Sequence, residues 1–500
     1  MMNNFIRSNK LKTVIITLLL AMLLPLVVSC KNEQPPDETP TLPPTDSSAP
    51  EDTILEELDF GGEEINILIR ESEQSRREWE SEDITDSLSQ EIYYRNLAVE
   101  EALGVTLNYI PQAEGDDSCT AFNEVLTNSA LSDMDTYDIV SHYALFATTT
   151  ALLEYYKDFN SEELQYLDLD KPWWNQNFRQ AATGFGKTYV MVGDVNLSVF
   201  DRTIVTYFNK ALCVDHGIDP DQLYRDTLAG NWTYDMLYNY VKEIHQDLDS
   251  NDAKSQGDYF GLTSIHGSEA VDGFLMSFDC QLTVTGDDGT HSLVTASGLE
   301  RLDSAMSKVM TLWEAQGAFG AANTMDNCLV FTESRALFNI DIIYHYASTN
   351  AMMRNMNDEY GMLPLPKFDS EQKEYKSAVQ NSHNVMAIID HSRQNYDAVS
   401  AFLELVCKES YEVIRPYYFE KMVKTKYLKD SESGQIFDML LESTTWDWGS
   451  VYSRATGSPT IKLWRWCKIF NTTVPVAFET DGGAIAEAYK SFDRWLQMQE

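Results

Sequence analysis

Positive charge is scarce in this chain of 500 residues: Lys and Arg number 37 against 78 Asp and Glu, a net charge of −41. Nucleic-acid binding is excluded on that ground, because phosphate contacts need a basic face and no basic cluster is visible. Cysteine is sparse too. Cys119, Cys213, Cys280, Cys328, Cys407 and Cys467 are scattered with no CxxC spacing, which removes zinc-ribbon and thioredoxin-type readings. Their even number permits disulfides, but a chain this long does not require them. No HExxH or GxSxG signature occurs. No period of about 20 to 50 residues repeats, so solenoids and propellers are excluded.

Long apolar runs are also rare, and the main one lies at the N-terminus. Basic Arg7, Lys10 and Lys12 precede an apolar run from Val14 to Leu24, and Leu26-Val27-Val28-Ser29-Cys30 follows Pro25. A membrane span needs about 20 apolar residues, and this run is shorter. The pattern resembles a bacterial lipobox, which predicts a signal peptide over residues 1–29 and acylation of Cys30. Residues 30–59 contain Pro35, Pro36, Pro40, Pro43, Pro44 and Pro50 with almost nothing apolar to bury, so they read as a disordered tether. The protein is expected on the extracellular face of a cell membrane, held by lipid.

About 440 residues remain, two domains' worth of chain. Aromatic residues make up 12% of the sequence, so the core can be large. Ile65 to Ile69 reads as a buried strand, Asp86 to Leu103 as a helix, Val105 to Ile110 as a strand, Cys119 to Leu131 as a helix and Tyr137 to Ser141 as a third strand. That alternation predicts parallel strands with crossover helices. A second unit follows, with strands at Ile204–Lys210, Tyr259–Thr263, Arg335–Ile340 and Val385–Ile389. Thr233 is placed to cap a helix whose inner face carries Leu237, Tyr240, Val241 and Ile244. The last hundred residues read as mainly helical.

Several segments, in order, resemble the extracellular solute-binding proteins of ABC importers that serve sugars and oligosaccharides. Tyr207-Phe208-Asn209-Lys210 is similar to the strand entering that family's second lobe, and Asn231-Trp232-Thr233-Tyr234-Asp235 to its "W-T" helix start. Phe331 to Phe338 resembles the strand that returns to the first lobe, with Ser334 in place of the usual glycine. Tyr360-Gly361-Met362-Leu363-Pro364-Leu365-Pro366-Lys367 is the clearest match, to the crossover between lobes. The resemblance implies an α/β, two-lobed, periplasmic-binding-protein-like (type II) fold with hinge crossovers and a helix-rich C-terminus. Lobe 1 is expected over 60–190 plus 319–358, and lobe 2 over 191–318 plus 359–500. It further implies a monomeric, non-enzymatic receptor that captures a carbohydrate between its lobes and hands it to a membrane-embedded ABC permease.

Sugar binding needs flat apolar faces for CH groups and fixed polar groups for hydroxyls, and strand ends at the cleft supply both. The candidates are Arg70 and Trp79 after the first strand, Ser141 and His142 at the third, and Trp174 and Asp194 around the first crossover. Asp341 and Tyr344 end the returning strand, His266 follows another, and Trp446 and Trp448 flank Asp447. The competing reading of each is a packed or internally satisfied residue; Trp232, at a helix start, reads as core. At least one of Trp446 and Trp448 is expected to face the cleft. Trp464 and Trp466 are two apart, so on a helix only one can do so.

No cofactor is expected. Asp247-Leu248-Asp249-Ser250-Asn251-Asp252, with Asp258 further on, spaces oxygen donors like a calcium loop, but Asp252 replaces the turn glycine and no Glu closes it. A solvated acidic turn is the competing reading. Two other functions share these features: a surface glycoside hydrolase using paired carboxylates, and the same fold serving a sensor, an adhesion complex or a non-sugar ligand.

Overall fold

In the computed structural model, strand β1 (Glu63–Arg70) lies between two strands parallel to it, β2 (Val105–Gln112) and β3 (Ile139–Tyr143). The structure describes residues 58–80, 87–115, 119–131, 136–151, 155–265, 268–286, 290–294, 296–320, 324–343, 353, 356–391, 394–419, 431–479 and 487. Alternate residues of β1 serve different cores. Ile65, Ile67 and Ile69 join one cluster with Val99, Leu103 and Phe402, and Leu68 joins another with Phe122 and Val140. Both faces of β1 are therefore covered, as a central strand's are, while β2 beside it is mostly exposed or half-buried. A fourth strand, β13 (Asn384–Ile388), pairs antiparallel with β3 and sets Asn384 opposite Tyr143.

The helix Ser87–Leu103 buries Leu88, Ile92, Arg95, Asn96, Val99 and Leu103, a stripe at helical spacing. It packs against Tyr396–Glu409, which is buried along most of its length and also touches β1. Asn395 starts that second helix by accepting from Ala398 N, and Asp397 lies in its first turn, where the helix dipole favours an acid.

The second sheet is centred on β4 (Ile204–Asn209) and β10 (Ala336–Ile342), which run antiparallel with Phe338 opposite Phe208. Strand β11 (Tyr360–Pro364) flanks β4, and β6 (Tyr259–Ser264) runs parallel to β10. The short β5 (His245–Gln246) and β9 (Ala318–Phe319) pair with β6. Two small ladders join β7 (Thr283–Thr285) to β8 (His291–Leu293) and β12 (Ser377–Ala378) to β14 (Thr444–Thr445).

Two strand placements correct the sequence reading. Ala336–Ile342, expected to return to the first lobe, lies in the second sheet; β13, allotted to the second lobe, edges the first. All seven residues of β10 are buried, a burden that only a central strand carries. Thr233 sits at the start of the helix Tyr234–Val241 but makes no side-chain cap. The backbone replaces it: Tyr234 N donates to Lys367 O at 2.8 Å, and Leu237 N to Thr233 O. Trp232 is fully buried and donates from Nε1 to Pro364 O.

The chain passes between the sheets three times. Residues 198–203 lead into β4, residues 365–383 lead from β11 to β13, and the chain crosses again after Ser410, because Ser431–Glu442 packs on β11. All six described cysteines are buried free thiols. Among the described residues, no helix is long and apolar enough to cross a membrane.

Candidate functional site

The carboxyl ends of β1 and β3 and the start of β13 share one edge of the first sheet. In the second sheet the ends of β6, β10 and β11 and the start of β4 share another edge. Residues 198–203 and 379–384 connect these two edges. In open α/β sheets, ligands bind outside the carboxyl ends of the strands, so these edges enclose the candidate cleft.

Its floor is a polar network built across the crossing segments. Arg202, just before β4, donates from Nε and Nη2 to Gln74 Oε1 at 3.0 and 2.7 Å. Gln74 Nε2 donates to Ser382 O at 3.0 Å, and Gln380 N donates to Arg202 O. Gln74 is held by the short helix Glu73–Arg76, which Ser72 caps by accepting from Ser75 N. Asn381 Nδ2 reaches Ser450 O at 3.2 Å, while its Oδ1 is buried without a partner. Arg202, Gln380, Asn381 and Ser382 remain half-buried, so a solute can reach them. Guanidinium and amide groups supply donors and acceptors together, which suits a polyhydroxylated ligand.

Beneath the floor lies a buried charged layer. Arg70 is fully buried, donates to Glu114, donates to Asn384 Oδ1 at 2.8 Å, and stacks over Tyr143. Asn384 Nδ2 donates to Glu78 Oε2 at 2.6 Å, and Ser198 N to Glu78 Oε1 at 2.7 Å. Burial pushes the Glu78 carboxyl up to about 7, while the hydrogen bonds from Ser198 and Asn384 and the Arg70 charge act the other way. Alongside, Asp201 accepts from Arg77 at 3.0 Å and from Tyr418 at 2.5 Å. Three segments distant in sequence are thereby tied at the hinge.

The residues expected to hold ligand have diverse positions. Arg70 lies under the cleft floor. Ser141 and His142 are fully buried within β3. His142 is stacked between Phe122 and Phe146, and burial, with the Arg70 charge, holds its imidazole well below the usual range. Trp79 is fully buried in the first-sheet core, and Asp341 is buried within β10. His266 and Tyr344 lie outside the described residues.

The pair expected to expose an indole exposes neither. Trp448 opens the one-turn helix Trp448–Val451 and stacks on His291 at 4.6 Å, while Trp446 meets Phe178 edge-on at 5.4 Å. Asp447 between them caps that helix through Ser450 N, which turns both rings inward.

Trp174 and Asp194 come together in a depression of about 250 Å³, lined also by Trp173, Asn196, Arg415 and Glu442 and by Val199 and Phe200 of the first crossing. Both indoles are fixed by one carboxylate: Trp173 Nε1 donates to Glu404 Oε1 at 3.0 Å and Trp174 Nε1 to Oε2 at 2.9 Å. Asp194 pairs with Arg415 at 3.4 Å, and burial, only partly offset by that arginine, pushes its carboxyl up to about 7.

Asp247, Asp249 and Asp258 bring carboxylate oxygens within 4.8 Å of one another. Those oxygens already accept from Ser250 N and Asp252 N, from Asn251 N and Ser255 Oγ, and from Leu248 N and Ser255 N respectively. The turn closes on its own hydrogen bonds, with Ser250 and Asp252 in the left-handed region.

Reasoning from sequence missed Gln74, Glu78, Arg202, Gln380 and Asn384. A signal was present for two of them: Arg202 lies just before the strand motif at Ile204, and Asn384 just before Val385.

No protein-family profile matches the chain, and no curated protein matches it in sequence. Solved structures do match in fold. An ABC transporter solute-binding protein from Thermotoga lettingae, bound with α-D-tagatose, is 14% identical with a TM-score of 0.54, covering 85% of this chain and 100% of its own. The sugar-binding protein MalE from Xanthomonas citri is 12% identical with a TM-score of 0.53, covering 87% and 100%. UgpB from Mycobacterium tuberculosis, in complex with glycerophosphocholine, is 14% identical with a TM-score of 0.55, covering 86% and 99%. The chain has the two-lobed α/β fold of solute-binding proteins.

Proposed function

We propose that this protein is a lipid-anchored extracellular receptor that captures a carbohydrate, an oligosaccharide by preference, between its lobes and delivers it to an ABC permease. The observation that carries the reading is the half-buried set of Arg202, Gln380, Asn381 and Ser382 on a floor that joins the first two crossings. Contacts made to both lobes favour a closed state over an open one, which is how such a fold retains a solute. The sugar-bound structures that share the fold support the carbohydrate class. A neighbour holding glycerophosphocholine makes a phosphorylated polyol the second ligand class.

The lipobox-like segment ending at Cys30 supports the anchor, which holds the receptor within tether reach of its permease and raises its effective concentration there. Calorimetric titration with an oligosaccharide panel tests the binding reading. Fractionation of cells expressing Cys30→Ser tests the anchor: release of the protein from the membrane is expected, and retention contradicts it.

A further inference from the structure

Among the described tryptophan side chains, Trp313 and Trp464 alone are half-buried; Trp79, Trp173, Trp174, Trp232, Trp446 and Trp448 are buried. Those two indoles line the same cavity, of about 350 Å³, with Met310, Phe319, Lys254 and Lys468. None of its lining residues belongs to the crossing segments; Ala318 and Phe319 form β9, which runs beside Leu262 and Thr263 of β6. The volume falls in the range of small-molecule sites, about 300 to 1,000 Å³.

The helices explain why the indoles are open. In Ala296–Glu314 the core is supplied by Val309 and Leu312, and in Pro459–Phe470 by Leu463 and Cys467. Met310, Trp313 and Trp464 each follow one of these core positions and so occupy the helix flanks. Gly317 lets the chain after the first helix run tight against the segment 241–244, since a Cβ there would lie 1.8 Å from Val241 O. Polar groups line the same space. Lys254 Nζ donates to Ala315 O and Ala318 O at 2.6 and 3.0 Å, which leaves one of its three protons. Lys468 stands 5.0 Å from the Trp464 ring centroid, and Glu314 adds an exposed carboxylate.

We infer that this cavity is a second saccharide site, outside the cleft. A pyranose ring sets its CH face on an indole and its hydroxyls against Lys254, Lys468 and Glu314. The site rests on the carbohydrate reading for its ligand class but shares no residue with the cleft. It holds one or two sugar units weakly while the cleft holds the transported ligand, and so gives the receptor purchase on longer glycans.

The test is fluorine NMR of the purified protein carrying 5-fluorotryptophan, titrated with maltotriose, cellotriose and xylotriose, beside calorimetry on the same samples. The expected result is a saturable shift of the Trp313 and Trp464 resonances with at least one trisaccharide. Trp464→Ala weakens that phase at least tenfold and leaves any tighter phase unchanged. Should Trp464→Ala fail to fold, Lys468→Glu is expected to weaken the same phase. Unmoved Trp313 and Trp464 resonances across the panel overturn the inference. So do resonances that respond to indole-3-acetate and to no saccharide, which identify a general aromatic pocket. A saccharide response at Trp464 with no tight phase supports this site and counts against the cleft reading, so the two fail separately.

Discussion

Arg202 places two N–H groups on one oxygen of Gln74, joining the segment after the first strand to the first crossing, a separation of 128 residues. Gln74 is 5% exposed, so its amide cannot replace these partners with bulk water. Removing it with Gln74→Ala takes away two of the hydrogen bonds Arg202 donates and frees Ser382 O. A charge-assisted bond of this kind contributes about 1.5 to 3 kcal/mol. We expect a stability loss of that order in urea unfolding and roughly a tenfold loss of saccharide affinity, the equivalent of about 1.4 kcal/mol. Arg202→Ala is expected to reproduce both effects.

Glu404 holds two indole N–H groups and the Asp168 amide from a 3% exposed position. Glu404→Ala leaves those donors without an acceptor, at about 1 to 3 kcal/mol for each buried group. Chemical denaturation should show Glu404→Ala destabilised by several kcal/mol, and Glu404→Gln by clearly less because it keeps one acceptor oxygen. Equal losses in the two variants would show that the site needs both carboxylate oxygens of Glu404, and that neither side-chain volume nor one retained acceptor suffices.

Glu78 gives a signed pH dependence. Its folded-state pKa, about 7, lies above the usual glutamate value, so between roughly pH 4.3 and 7 the folded protein binds more protons than the unfolded chain. Stability is therefore expected to fall as pH rises through that window, by up to roughly 3 kcal/mol from this group. Thermal unfolding midpoints should decrease from pH 5 to pH 8, and Glu78→Gln should flatten the slope. An unchanged slope in Glu78→Gln would assign the effect to other carboxyls, such as Asp194 and Glu404, whose pKa values are also raised to about 7.

The six cysteines of the body are buried thiols, and burial raises the pKa of Cys213 to about 12 and of Cys280 and Cys467 to about 11. Thiolate is the reactive form, so a thiol reagent should meet almost no reaction in the folded protein and all six groups after denaturation. Reducing agent should leave the unfolding midpoint unchanged. A midpoint that drops with reductant would reveal disulfides.

Where periodicity decides, the sequence and the fold agree. Ser87–Leu103, Thr120–Leu131 and the strand at Ile139 all lie within a few residues of their expected places, because an amphipathic stripe or a short buried run is a local property. Strand membership is not local. The apolar run Ala336–Ile342 carries no mark of its sheet, and only the pairing of Phe338 with Phe208 places it in the second. The site was less legible for a related reason. Tryptophan suits a sugar platform, yet Trp79 is buried in the first-sheet core, and Trp174, Trp446 and Trp448 find partners in sequence-distant Glu404, Phe178 and His291. The half-buried groups of the candidate cleft floor, Arg202, Gln380 and Ser382, are ordinary polar residues given meaning by the crossings.

Calorimetric titration of the body, residues Thr53–Glu500, with a panel of oligosaccharides tests the central claim most directly. That segment forms its own compact unit and contains every cleft residue described. The prediction is saturable binding of at least one sugar, weakened about tenfold in Arg202→Ala. Silence across the panel, or binding that Arg202→Ala leaves untouched, would contradict it.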